Sequence, residues 1–150
     1  MHQVELPDGW VISDDKTRLD LEIMHRYLAV HSYWARGRSR AAVERSIAHS
    51  LCLGLYAADG RQGGFIRVIS DRAVMAHLSD LFVLPDCRGH GLGKALFAAA
   101  LAHPELASVG RWTLSTDDAH ALYARFGFTP LPRPETAMVR IVTQQPTKSS

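Results

Sequence analysis

Leu81-Phe82-Val83-Leu84-Pro85 runs into Asp86-Cys87-Arg88-Gly89-His90-Gly91-Leu92-Gly93-Lys94 and then into Ala95-Leu96-Phe97-Ala98-Ala99-Ala100-Leu101. The first stretch is apolar and of strand length. The last is apolar on nearly every side and long enough for a buried helix. Between them, three alternating glycines let the backbone turn tightly and approach a ligand without Cβ interference. The first amides of the helix have no acceptor inside it, and with the positive end of the helix dipole they favour an anion such as a diphosphate. Arg88 and Lys94 add full charges at either end of the loop, one suited to bidentate contact and one to point-charge attraction. Two better-known phosphate motifs do not fit. Lys94 is followed by Ala95 rather than the Ser or Thr of a P-loop, and position 94 is Lys where a dinucleotide fingerprint needs its third glycine.

Working outward, Leu51 to Ala57, Gly64 to Ser70 and Val74 to Leu84 read as strands, with turn residues at Asp59-Gly60 and Ser70-Asp71. That spacing predicts an antiparallel meander. Upstream lies an edge strand near Gly9 to Ser13, then a helix over 19–30 with Leu19, Ile23, Tyr27 and Val30 on one stripe. Ser39 caps a second helix to about His49 that buries Val43 and Ile47. Downstream, a strand over Arg111 to Ser115 precedes a helix capped by Thr116 or Asp117. Its Ala119, Leu122, Tyr123 and Phe126 fall on one face, and Gly127 ends it. Phe128-Thr129-Pro130 and Ala137 to Val142 read as closing strands. Residues 1–142 thus form one domain, and the polar stretch 143–150 reads as a disordered tail. The element order gives a mixed α/β fold of three layers, with a mostly antiparallel sheet and one parallel crossover pair.

The chain's 150 residues allow a substantial core in a single domain. A net charge of +2 is too small for a nucleic-acid footprint, and the basic run Arg36-Gly37-Arg38-Ser39-Arg40 reads as solvated surface. Two cysteines make no disulfide framework, and the eight histidines lack metal-ligand spacing, so no metal is expected. No stretch is long and apolar enough for a membrane span and no secretion signal opens the chain, which points to the cytoplasm and away from membranes.

The segment Arg88-Gly89-His90-Gly91-Leu92-Gly93 after Val83-Leu84-Pro85 resembles the acetyl-coenzyme-A-binding motif of the GNAT N-acetyltransferase superfamily. Arg88, Gly91 and Gly93 fill the motif's basic and glycine places. Ala119-His120-Ala121-Leu122-Tyr123-Ala124-Arg125-Phe126-Gly127-Phe128 is similar to the second family motif, a Tyr-bearing helix closed by Gly-Phe. The resemblance implies two splayed parallel strands ending near Leu84 and Ser115, with acetyl-CoA as co-substrate in the gap. The backbone at Phe82 and Val83 would pair with its pantetheine amides, and Arg88, Gly89, His90, Gly91, Leu92, Gly93 and Lys94 would hold its diphosphate. It further implies that Tyr33 and Trp34 wall the acceptor pocket, although both rings could equally cover core.

Acetylation of an alkylamine requires loss of a proton, and the departing thiolate benefits from a donor. Tyr123 occupies the family position of that acid. For the base, Asp80 leads on parity: Ala76, Leu78, Asp80, Phe82 and Leu84 would share one apolar face, where burial raises a carboxyl's pKa. His77, on the opposite parity, and His120 are weaker alternatives. A covalent acetyl-enzyme on Cys87 is disfavoured because no His–carboxylate pair is placed to activate it. The expected activity is direct N-acetylation of a small-molecule or amino-acid-like amine. The alternatives are a protein or aminoacyl-tRNA acceptor, and a non-catalytic acyl-CoA sensor. A homodimer is the expected assembly.

Overall fold

The computed structural model describes residues 1–142, so the tail assigned to 143–150 lies outside the described residues. The sheet is organised around its most apolar strands. β3 (Leu51–Tyr56) is buried along its whole length and β4 (Gln62–Ser70) along its first seven residues, so both are central strands covered on two faces. Antiparallel pairing then runs outward through β2 (Val11–Ser13) to β1 (Gln3–Glu5), a strand the periodicity does not reveal. On the other side β4 pairs with β5 (Met75–Val83), and β5 pairs in parallel with β6 (Arg111–Thr113). The resulting order is β1-β2-β3-β4-β5-β6. The turns are built as their residues demand. Gly60 sits at φ 91°, and the Asp71 carboxylate accepts from the amides of Ala73, Val74 and Met75.

Helices cover both faces. α3 (Leu92–Leu101) buries Leu92, Leu96, Phe97, Ala99 and Ala100 against Leu53, Leu55, Ile66 and Val68. On the opposite face α1 (Leu21–Arg26) and α2 (Arg40–Ala48) enclose Met24, Tyr27, Leu28, Val43 and Ile47 with Phe65 and Phe82. Ser39 caps α2 by accepting from the Ala42 amide, as its sequence predicts. Among the described residues no helix is long and apolar enough to cross a membrane.

Three expectations need correction. The first helix is not one continuous α-helix. After Arg26 it widens into a π turn over Tyr27–His31, which rotates Val30 into solvent at 61% exposure and leaves Met24, Tyr27 and Leu28 as the inner face. The helix bearing Tyr123, α4 (His120–Ala124), is only five residues long, with Thr116 accepting from the Ala119 amide just before it. Its end is as expected: Gly127 at φ 89°, with the Gly127 and Phe128 amides donating to Ala124 and Tyr123 carbonyls. Finally, Phe128-Thr129-Pro130 and Ala137–Val142 are not strands. Their sequences suit strands, but a strand exists only with a ladder partner, and among the described residues these segments have none.

One irregularity positions the site. Arg67 stands opposite Ser79 and Phe65 opposite Phe82, so Asp80 and Leu81 together face Ile66 in a β-bulge, with Asp80 in the left-handed region at φ 55°. The bulge reverses the strand's alternation. Ala76, Leu78, Leu81 and Val83 pack on the α3 side, while Phe82 packs on the α1–α2 side. The single-face set that included Ala76, Leu78, Asp80, Phe82 and Leu84 is therefore broken at its centre.

Candidate active site

The parallel β5–β6 ladder has three rungs, Met75–Arg111, Ala76–Trp112 and His77–Thr113, and ends there. Beyond His77 the two strands diverge, and the β5 edge from Leu78 to Val83 faces a cleft of about 680 Å³ instead of a neighbouring strand. Unpaired backbone N–H and C=O groups along such an edge suit an extended ligand that continues the ladder. At the mouth lies the glycine loop. Gly89 and Gly91 sit at φ 91° and 71°, and a Cβ on either would meet no neighbouring atom, so the loop presents bare backbone to open space. No side chain caps α3, and its first intrahelical acceptor, the Gly91 carbonyl, bonds the Ala95 amide. The amides of Leu92, Gly93 and Lys94 are the orphan donors of the first turn, which is the donor set a diphosphate needs. His90 and Lys94 are exposed beside them.

Arg88 departs from the expected outward role. Its Nε donates to the Val83 carbonyl at 2.9 Å and its Nη2 to the Tyr27 hydroxyl at 2.8 Å, so it braces the end of β5 against the π turn. Tyr27 in turn stacks on Phe82 with ring centroids 4.3 Å apart. Close approach of β4 to this end of β5 depends on Gly64, where a Cβ would lie 2.8 Å from the Phe82 carbonyl oxygen.

Asp80, 4% exposed, is fully committed. Its Oδ2 accepts from Arg38 Nη1 at 2.7 Å and Arg67 Nε at 2.8 Å, and its Oδ1 accepts from Trp34 Nε1 at 2.8 Å. Burial pushes its pKa up, but the Arg38 hydrogen bond and the charges of Arg67 and Arg38 outweigh it and hold the carboxyl below the ordinary range. The expectation that burial would make Asp80 a usable base is thus overturned. Arg38, read as solvated surface, is drawn into the site by the loop between α1 and α2. Arg67 could have been noticed as the one charge inside an apolar strand run.

His77 faces the same cleft, with Nδ1 2.8 Å from Thr113 Oγ1. Burial, reinforced by the Arg67 charge, lowers its pKa, so the imidazole is neutral at pH 7. Tyr123 also lines the cleft, its ring 4.9 Å from Phe97. Burial, with smaller contributions from Tyr33 and Asp118, raises its pKa and keeps the phenol protonated through neutral and mildly alkaline pH. Tyr33 and Trp34 meet edge to face at 5.2 Å on the cleft wall, joined by Asp117 and Asp118 on its rim. Cys87 is 3% exposed and its thiol is pushed up by burial and by Asp86, so it is a packed residue. A separate cluster of Asp14, His103 and Glu105 closes on itself. His103 Nδ1 accepts from the Glu105 amide, and Nε2 bonds Asp14 Oδ2 at 2.9 Å.

A family model described as "Acetyltransferase (GNAT) domain" matches residues 48–130. The crystal structure of a GNAT-family protein from Xanthomonas campestris pv. campestris is 49% identical over 89% of this chain and 93% of that one, with a TM-score of 0.85. A Gibberella zeae protein named as an acetyltransferase is 25% identical over 85% of this chain and 86% of its own length. The structure of Neisseria gonorrhoeae N-acetylglutamate synthase, complexed with coenzyme A and N-acetyl-glutamate, shares the fold. It is 20% identical, with a TM-score of 0.62, over 84% of this chain and 30% of that one.

Proposed function

Because this chain belongs to the GNAT acetyltransferase family, whose members use acetyl-CoA, we propose that it transfers the acetyl group directly to the primary amine of a small or amino-acid-like acceptor. The observation that carries this reading is the convergence of a bare diphosphate cradle, an opened strand edge, a neutral imidazole and a protonated phenol on one cleft. Acetyl-CoA, when bound, supplies an activated thioester. The amides of Leu92, Gly93 and Lys94, with the Lys94 charge, hold its diphosphate across Gly89, His90 and Gly91, and the backbone of Phe82 and Val83 pairs with its amides.

The protein's own groups then divide the work. His77 takes the proton that the acceptor nitrogen must lose at Nε2, acting in the tautomer whose hydrogen sits on the Nδ1 that is bonded to Thr113 Oγ1. Tyr123 gives its phenolic proton to the departing sulfur. A β5 amide near Phe82 or Val83 stabilises the negative charge that develops on the carbonyl oxygen. Asp80 is a positioning residue: it fixes the Trp34 ring and the Arg38 guanidinium at the acceptor wall. The buried Cys87 thiol supports direct transfer over a covalent acetyl-enzyme. Asp117 and Asp118 at the rim attract a cationic amine and repel an RNA backbone, which favours the small acceptor over a charged tRNA. Two buried free thiols, Cys52 and Cys87, suit a reducing cytoplasm.

The test is a panel of amino acids, their decarboxylated amines, polyamines and amine-bearing peptides, each incubated with acetyl-CoA. Acceptor-dependent release of free thiol together with an N-acetyl product supports the proposal. Coenzyme A binding with no release across the panel, or acetylation confined to the peptides, refutes it.

A further inference from the structure

The ion cluster behind the acceptor wall does not balance. Asp80 is its one carboxylate, yet Arg67 and Arg38 both donate to the same oxygen, Oδ2, so the three side chains together carry one positive charge in excess. The two guanidinium groups are not equivalent. Arg67 uses every nitrogen: besides Nε on Asp80, its Nη1 donates to Ser50 Oγ at 3.1 Å and its Nη2 to Ser79 Oγ at 3.5 Å. Arg38 spends only Nη1, on Asp80 at 2.7 Å, and among the described residues its Nε and Nη2 have no partner. Its side chain is 23% exposed and lines the cleft, so the excess charge opens onto that space. The backbone fixes it there. Gly37 turns at φ 80° with its amide on the Ala29 carbonyl, the Arg38 amide donates to the Ala35 carbonyl, and the Arg38 carbonyl lies 3.0 Å from His25 Nε2. A second guanidinium held at a carboxylate that is already paired costs desolvation with no partner charge to offset it, and a bound anion supplies that partner.

The geometry points to an acceptor that is a free amino acid, its carboxylate gripped by Arg38. This rests on the acetyl-transfer reading of the cleft and narrows its acceptor. One excess positive charge matches a monoanion, whereas a phosphate ester, near a dianion at pH 7, would leave the cluster negative. The unspent Nε and Nη2 form one edge of a planar fork, which takes the two oxygens of a carboxylate. The segment between β6 and α4 brings Asp117 and Asp118 to the same cleft, so a zwitterion turns its ammonium toward them and its carboxylate toward Arg38. A polyamine would instead set a second cation against Arg38. Tyr33 and Trp34, 55% and 39% exposed, give the body of the amino acid an aromatic wall, and the Trp34 ring is pinned to Asp80 beside the guanidinium.

The experiment is calorimetric titration in the presence of coenzyme A with three probe sets that vary the carboxylate: phenylalanine, phenylalaninamide and phenethylamine; leucine, leucinamide and isoamylamine; lysine, lysinamide and cadaverine. In at least one set the amino acid should bind about tenfold or more tighter than its amide and its amine, and Arg38→Gln should bring the three within about threefold of one another. The ratio is internal to each protein, so it is read in whichever variant folds. Arg38→Lys keeps a charge beside Asp80 without the fork, and should lose at least about threefold of the preference. Equal affinity across every set, no binding of any amino acid, or a preference that survives either substitution overturns the inference. N-acetylation of amines and amides but not of amino acids overturns it too, and leaves the transferase reading standing. A carboxylate preference lost with Arg38, but with no N-acetyl product from any probe, supports the Arg38 contact and refutes acetyl transfer.

Discussion

His77 and Thr113 form the last rung of the parallel ladder, with imidazole Nδ1 2.8 Å from the threonine hydroxyl, and the sheet opens immediately beyond them. This pairing holds a half-buried imidazole at the apex of the cleft, neutral because burial and Arg67 disfavour its cation. His77→Gln keeps a partner for Thr113 but cannot take up a proton. We expect kcat to fall about 10²-fold or more, within the range for loss of a general base. The sign of the pH dependence follows from the lowered pKa. Wild-type activity declines only as the pH drops below the ordinary histidine value of about 6.5, and in the variant that acid limb disappears. A pH–rate profile that keeps its acid limb in His77→Gln rules the residue out.

Tyr123→Phe removes one oxygen and keeps the ring on Phe97. Turnover should fall about 10²-fold while acetyl-CoA affinity changes by less than a factor of about three, since the lost group acts on the leaving sulfur rather than in binding. Calorimetric titration beside steady-state kinetics separates the two, and an unaltered kcat would falsify the acid assignment.

Asp80→Asn addresses stability. The carboxylate pairs with both Arg67 and Arg38 in the interior, and removing it strands buried positive charge, a change that costs about 3–5 kcal/mol. Because the folded pKa lies below the unfolded one, this stabilisation is complete above about pH 4 and is lost as the pH falls through the folded value. Chemical denaturation should therefore show a large gap between wild type and variant at neutral pH that narrows toward strongly acid conditions. A constant gap across that range contradicts the ion-pair account.

Gly91→Val acts on the cradle. At φ 71° a β-branched residue is strained by roughly 1–2 kcal/mol, and its side chain would stand in the space left for a diphosphate. Coenzyme A binding should weaken by at least about tenfold in calorimetry while the protein remains folded, a loss of about 1.4 kcal/mol or more. Retained affinity would place the diphosphate elsewhere.

Local chemistry made much of this protein legible without a structure. The meander β3–β4–β5, the Ser39 cap, the buried helix α3, the Gly127 stop and the glycine loop each depend on residues within a few positions of one another. What periodicity assumes, and could not test here, is an unbroken ladder or helix. The bulge at Asp80 and the π turn at Tyr27–His31 each shift the phase, which moved Asp80 off the face of Ala76 and Leu78 and put Val30 into solvent.

The amino-acid order by itself determined where strands and helices could form and that a phosphate-sized nook of free amides follows β5, because glycine freedom and helix-end donors are local properties. Only the tertiary structure decided the charge state of the site. Arg38, Arg67 and Trp34 reach Asp80 from 42, 13 and 46 residues away, and a carboxyl's proton affinity answers to whatever cations surround it in space. The same holds for 137–142, since a β-branched run becomes a strand only when another strand's edge meets it.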